Sequence, residues 1–343
     1  MIAALPAYRV ERGTTASRIG TVLGVVMLAL LIALPFLSGR ATLRLATEIF
    51  AYLTLAQMWN LLAGYAGLVS VGQQAFVGFG GYMLFALVVF LGLNPLLALP
   101  VAGLLTAAVA VPTAFVVFRL RGAYFAIGTW VVAEVYRLSF AQVSALGGGS
   151  GMSLPAAAVR GIAADTQLRD SIIYWVALAV ALLALATVYL LLRSRWGLAL
   201  TAIRDSEPAA ESVGVDNYRT KLVIYVVVAA LTGVAGALIF LQKLRIAPDA
   251  AFSVNDWTAF VIFMTVIGGI GRIEGPIVGT IIFFVLRALF ADYGAWYLML
   301  LGLVAVVVML AAPKGLWGYL ADRHDLQLFP VQRRVRIVAE PRS

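Results

Sequence analysis

A chain of 343 residues with 63% hydrophobic side chains, 12% charged ones and a mean hydropathy of +0.99 lies far outside the composition of soluble globular proteins. It has no cysteine, which excludes disulfides, thiolate nucleophiles and cysteine metal sites. Its net charge of +9 comes from Lys and Arg residues scattered between apolar runs, a pattern of membrane topology signals and not of a nucleic-acid surface.

Backbone polar groups in hydrocarbon must bond within their own segment. Apolar runs of helix length, without alternating ten-residue strands, therefore predict an all-α, multispan transmembrane helical bundle. Windows of about 20 apolar residues place spans at 19–37, 46–63, 71–92, 96–118, 123–140, 172–192, 221–241, 257–270, 276–290 and 295–312, about ten in all, the eighth and ninth short. The first run follows a basic stretch, MIAALPAYRVERGTTASR, yet it has full spanning length and ends without an A-x-A site, so it reads as a retained helix and not as a signal peptide. Residues 1–18 then form a cytoplasmic N-terminal segment, 19–312 the membrane domain and 313–343 a basic cytoplasmic tail whose end, VQRRVRIVAEPRS, suits anionic lipid. Seventeen Lys and Arg residues fall in segments on the N-terminal side of the membrane and six on the other. Arg137 and Arg287 fall within spans, and the imbalance predicts both termini inside.

Along the chain, polar and glycine-rich stretches interrupt the spans. GYAGLVSVGQQAFVGFGGY, 64–82, and GGIGRIEGPIVG, 268–279, put glycines at or inside spans. Such breaks are tolerated where they are buried or line an aqueous path, and a pair of them in two halves is a transporter signature; close packing through small residues is the other reading. Asn60, Gln73 and Gln74 lie near these breaks and either line a translocation path or join neighbouring helices. Glu134 and Arg137, three apart on one helix face, either neutralise each other or line that path. The loop SALGGGSGMSLP, 144–155, which contains Gly148 and Ser150, is flexible by composition. Arg287 near a helix end is expected to snorkel towards Asp292, and the single histidine, His324, reads as a solvated surface group in the tail.

One polar island stands out inside the expected cytoplasmic loop 193–220: WGLALTAIRDSEPAAESVGVDNYRTKL, 196–222. Ser206 or Asp205 can cap a short helix, Pro208 suits its first turn, and Gly214 can close it in a left-handed conformation. Ala209, Ala210 and Val213 would form a small apolar face, and Glu207 and Glu211 an acidic one. About two turns of helix are not stable alone, so the element needs a surface to dock on, such as a groove of a soluble partner. An ordinary solvated connector is the alternative.

The run Glu207, Ala209, Ala210 and Gly214 before a late span resembles the EAA loop of ABC importer permeases, whose short helix docks in a cleft of the ATPase. ALTAIRDSEPAAESVGVDNYRTKL, together with NLLAGYAGLVSVGQQAFVGFGGY at 60–82 and GGIGRIEGPIVG, is similar to the LivM-type permease subunits of branched-chain amino acid importers, over residues 40–315 or so. Where many relatives carry histidine, this chain has Gln73, which does not titrate. The resemblance implies a multi-pass protein of the bacterial inner membrane. Its partners would be a second, related permease, two cytoplasmic ABC ATPases and a periplasmic or lipid-anchored binding protein. It assigns ATPase coupling to Arg204, Asp205, Glu207, Ala209, Ala210, Glu211 and Gly214. It also sets the glycine-rich loop near the outer mouth, where Arg160, Arg169, Lys243 and Arg245 offer charge to the binding protein. Branched-chain amino acids are the family's usual solute, with urea, short amides and aromatic acids in some relatives.

The residues agree that this chain does no chemistry of its own. It contains no G-x-x-x-x-G-K-[ST] loop, so ATP is expected on partner ATPases and no cofactor on this chain. The glycines at 269 and 271 do not extend to a dinucleotide fingerprint, because Glu274 stands at its last position. No acid/base dyad or nucleophile with a base is present, so an enzyme lacks its parts. The competing class is an ion-coupled secondary transporter that would use a membrane carboxylate such as Glu134 and need no ATPase.

Overall fold

The computed structural model describes residues 8–11, 15–324, 328–329 and 334–337. Most of the expected N-terminal segment and of the lipid-seeking tail, including Arg333 and Arg342, lies outside the described residues. The helices are α1 Thr15–Leu37, α2 Arg40–Asn60, α3 Gln73–Leu91, α4 Pro95–Val117, α5 Ala123–Gln142, α6 Ala156–Arg160, α7 Thr166–Arg193, α8 Arg195–Asp205, α9 Glu207–Ser212, α10 Asn217–Lys243, α11 Pro248–Ala251, α12 Phe260–Gly268, α13 Glu274–Phe290, α14 Ala295–Ala311 and α15 Gly315–His324. Two antiparallel strand pairs complete the described structure: β1 Tyr8–Glu11 with β4 Arg334–Ile337, which brings the two ends of the chain to one side, and β2 Met152–Ser153 with β3 Arg245–Ile246.

The bundle is all-α and membrane-type. Seven stretches among the described residues are long and apolar enough to cross a membrane by length and composition, so the expected ten spans are not confirmed by that measure. Outside the seven fall α2, which carries Arg40, Arg44, Glu48, Gln57 and Asn60, α5, which carries Glu134 and Arg137, and α13, which has 17 residues. Helix α2 also starts at Arg40, ahead of the expected 46, because Arg40 and Arg44 both bind the buried Asp170 of α7, at 2.9 and 3.1 Å, and that pairing draws the charged turn into the helix.

At the centre stand α2 and α10. Helix α2 packs on α7, α10, α12 and α13, while α10 packs on α3 and α4. The second contact is a backbone contact: a methyl group on Gly80 would lie 2.1 Å from the Gly233 carbonyl oxygen, a separation that only two glycines allow. Tyr52, Trp257, Phe283 and Phe284 form an aromatic cluster between α2, the π turn Asn255–Ala259 that leads into α12, and α13, with ring centroids 5.4–6.0 Å apart. Helix α1 leans on α7, and its Pro35 explains where: proline lacks the N–H that would bond the carbonyl of Leu31, and that oxygen instead accepts the Tyr174 hydroxyl at 2.6 Å.

Arg287 does not turn to Asp292. Helix α13 ends at Phe290 and Asp292 lies in the 3-10 turn Ala291–Tyr293 beyond it, so the two share no helix face. Arg287 instead bonds Glu48 on α2 at 2.7 Å and lies over the Phe284 ring. The glycine-rich loop is also not a featureless linker. It forms two 3-10 turns, Ser144–Leu146 and Gly148–Ser150, and is pinned to the end of α10 by the β2–β3 pair and by Leu154 N donating to Leu244 O.

Candidate functional site

The two glycine breaks meet. After α2 a π turn, Leu61–Tyr65, and a left-handed Gly67 reverse the chain, which then climbs back beside α2. Three hydrogen bonds trace the climb: Leu68 N donates to Leu62 O at 2.9 Å, Trp59 Nε1 to Ser70 O at 2.8 Å, and Gln73 Nε2 to Leu55 O at 2.9 Å. Helix α3 therefore begins level with Leu55, inside the bundle. The second break, 269–273, separates α12 from α13, with positive φ at Gly269 and Gly271.

Polar side chains of α2 staple one break to the other. Gln57 Nε2 donates to Ile273 O at 2.7 Å and Asn60 Nδ2 to Arg272 O at 2.8 Å, while Gly271 N donates to Asn60 Oδ1 at 2.8 Å. The Gln57 and Asn60 side chains are fully buried, where each bond is held by the cost of leaving its partner unpaired. A methyl group on Gly64 would lie 2.5 Å from both Gly271 N and Asn60 Oδ1, so the breaks touch main chain to main chain. Outside the staple, Asp322 of α15 binds Arg272 and, at 2.7 Å, Lys314. The buried Glu274 accepts from Leu328 N and Phe329 N at 3.2 and 3.1 Å at the start of α13.

The polar island is two helices, not one. Ser194 ends α7 and caps α8, an eleven-residue helix that buries Gly197, Leu200 and Ile203 against the bundle. Ser206 then caps α9, Pro208 lies in its first turn, and Gly214 follows with φ +85°. The expected apolar face divides: Ala210 is buried, whereas Ala209 and Val213 face outward. The acidic face is turned onto α10. Glu207 binds Lys221, and Asn217 Nδ2 donates to Glu207 O at 2.9 Å and to Glu211 Oε1 at 3.1 Å. Arg204 points back into the bundle, its Nη1 donating to Gly64 O at 3.4 Å, while Asp205 beside it accepts from Nε and Nη2.

Of the residues expected along a path, Asn60, Gln73 and Gln74 gather beside the breaks, where they join helices; Gln74 accepts from the Thr258 hydroxyl at the π turn Asn255–Ala259. Glu134, Gly148 and Ser150 are elsewhere, around α11. Arg137 clasps Glu134 at 2.6 Å and also bonds Asp249 of α11 at 2.6 Å, so the expected pair is a triad. Ser150 O accepts from Arg245 Nη2 at 3.4 Å. Sequence reading missed Gln57 and Thr258. Gln57 was visible in principle, since it lies three residues before Asn60 on the same helix face.

Residues 41–313 match the family described as "Branched-chain amino acid transport system / permease component". The chain is 31% identical over 314 residues to the high-affinity branched-chain amino acid transport system permease protein LivM of Escherichia coli K12, covering 85% of this chain and 73% of that one. It is 30% identical to the LivM protein of Salmonella typhimurium LT2 over the same shares. It is also 29% identical over 157 residues, 43% of this chain and 48% of the other, to a probable LivH permease of Methanocaldococcus jannaschii. No solved structure matches.

Proposed function

The chain belongs to the branched-chain amino acid transport system permease family, and from that premise we propose that it forms half of the translocation path of an ATP-driven importer in a bacterial inner membrane, with both termini cytoplasmic. Its solute is a branched-chain amino acid or a related amide or organic acid. A second, related permease completes the path, as likeness to both LivM and LivH proteins supports. Two cytoplasmic ATPases bind the ATP, and a periplasmic or lipid-anchored protein delivers the solute.

One observation carries the reading: α9 is an exposed, capped helix clamped to α10 by Lys221 and Asn217, and the helix before it, α8, reaches the buried junction of both breaks. A push on α9 thus has a solid route to the two places where spans are interrupted and can pivot. Docked ATPases that close on ATP would swing the permease halves between outward and inward openings. Glu134, which an ion-coupled carrier would use, is held by Arg137 through both carboxylate oxygens, and no observation favours that class.

Affinity purification of the tagged chain from its native membranes, with mass spectrometry of what accompanies it, tests the reading. A Walker-type ATPase and a second permease are expected with the wild type. Ala209→Arg and Val213→Glu, both on the outward side of the 206–214 stretch, are expected to lose the ATPase and keep the permease. A chain that purifies alone from membranes that still accumulate solute would overturn it.

A further inference from the structure

We propose that Arg204 is the positioning residue that carries movement of the α8–α9 elbow into the two breaks, an inference that rests on the importer reading above. Its placement is what such a role needs. Arg204 lies in the last turn of α8, two residues before the Ser206 cap of α9, so it moves with both helices. From there it meets three glycines of the two breaks. Nη1 donates to Gly64 O at 3.4 Å, a methyl on Gly271 would lie 3.9 Å from the same nitrogen, and a methyl on Gly67 would lie 3.9 Å from Arg204 Cα. Gly64 and Gly271 are the residues at which the breaks touch, so one guanidinium rests where the first break meets the second.

Stability alone does not account for the contact. Helix α8 is already seated by Leu200 and Ile203, both essentially buried, whereas the Arg204 side chain is 42% exposed and its pair with Asp205 is a surface one of small worth. Asp205 instead orients the fork: it takes Nε and Nη2 and leaves Nη1 for the Gly64 carbonyl. The bare backbone of Gly64 lets that carbonyl be reached at all. Asn60 and Gln57, in the last turn of α2 that runs straight into this π turn, bond Arg272 and Ile273, so a shift of Gly64 is passed to the start of α13.

The test uses the whole complex reconstituted in proteoliposomes with wild type, Arg204→Gln and Arg204→Lys, measuring ATPase co-purification, ATP hydrolysis and solute uptake. In Arg204→Gln the ATPase should still co-purify while solute moved per ATP hydrolysed falls about tenfold, within the usual range of coupling energies. Arg204→Lys keeps charge and stem but loses the fork, and should restore part of that ratio. The Lys variant also carries the test if the Gln variant does not fold. Uptake and hydrolysis that fall together, or a ratio equal to wild type in both variants, would overturn the proposal. Absence of any ATPase from the wild-type complex would instead overturn the importer reading beneath it.

Discussion

The inner junction and the outer loop 147–151 are both dense in glycine, and they differ in what surrounds it. At the junction, Gly64 and Gly271 exist so that two interrupted spans can touch through their main chains, and buried amide side chains hold the contact. In the outer loop, Gly147, Gly148 and Gly151 exist for their positive φ: they turn the chain within 3-10 turns and a two-residue strand pair at the edge of the bundle. Glycine content therefore says that the backbone does something unusual, while burial decides whether that something is rigid. The inner contact is held by two fully buried amide side chains, so a local clash there is hard to relax. The outer one has an exposed flank and relaxes more easily.

Gly64→Ala should break this contrast most severely. Its methyl would stand 2.5 Å from Gly271 N and Asn60 Oδ1, and relief requires moving a buried main chain. A loss of about 3 kcal/mol or more is expected, at the upper end of overpacking costs. Fluorescence-monitored unfolding in detergent should show a large drop in midpoint, or no folded protein. A variant as stable as wild type would mean that the breaks do not touch.

Asn60→Ala comes next. It deletes no large volume, but it leaves the part-buried Gly271 N–H and Arg272 C=O without their partner, which costs about 1–3 kcal/mol. Asn60→Asp sharpens the point. It keeps an acceptor for Gly271 N–H but sets a second acceptor against the Arg272 carbonyl, so it should be no better than Ala in the same unfolding assay. An Asp variant near wild type would show that the staple is not made as described.

How far the sequence revealed the two regions follows from the same contrast. Both breaks, and the polar residues beside them, were visible as glycines and amides out of place in apolar runs. So was the pair Glu134 and Arg137, because three residues along a helix share a face. That the breaks meet was hidden: the acceptors of Gln57 and Asn60 are the main-chain carbonyls of Ile273 and Arg272, more than 200 residues away, and a carbonyl leaves no mark on residue type. For the same reason Arg204 read as part of a surface for a partner, although it faces Gly64 O. Helix α8 was submerged in a polar stretch, even though Gly197, Leu200 and Ile203 recur at helical spacing. The order of the outer loop was missed because its fastening lies in Leu244 and Arg245–Ile246 at the far end of α10.

Gly151→Ala tests the outer side. Gly151 has φ +75° and ψ −173°, a region nearly confined to glycine, and a methyl would meet Ile246 O at 2.1 Å. On distances alone this is tighter than the 2.5 Å of the inner clash. The loop can move off, however, opposed by the β2–β3 pair and the bonds from Leu154 N and Arg245, so the global cost should be about 1 kcal/mol, the scale of a few exposed hydrogen bonds. Hydrogen exchange should show lost protection at Leu154 N, with the unfolding midpoint nearly kept. A collapse like that of Gly64→Ala would erase the difference between the regions.

The smallest effect belongs two residues earlier. Gly149 has no positive φ, and a methyl there would have no atom within 4 Å. Alanine fits without strain and lowers the freedom of the unfolded chain, so Gly149→Ala should be neutral or stabilising by up to about 0.4–1 kcal/mol. The two substitutions differ by two positions in one loop and change the same atom, so composition, hydropathy and local mobility are matched between them. If Gly149→Ala destabilises as much as Gly151→Ala, the loop needs glycine for suppleness along its whole length, as its composition first suggests. If only Gly151→Ala does, the loop is a folded turn whose glycines answer to particular backbone angles, and Gly148 and Ser150 are held in place by it.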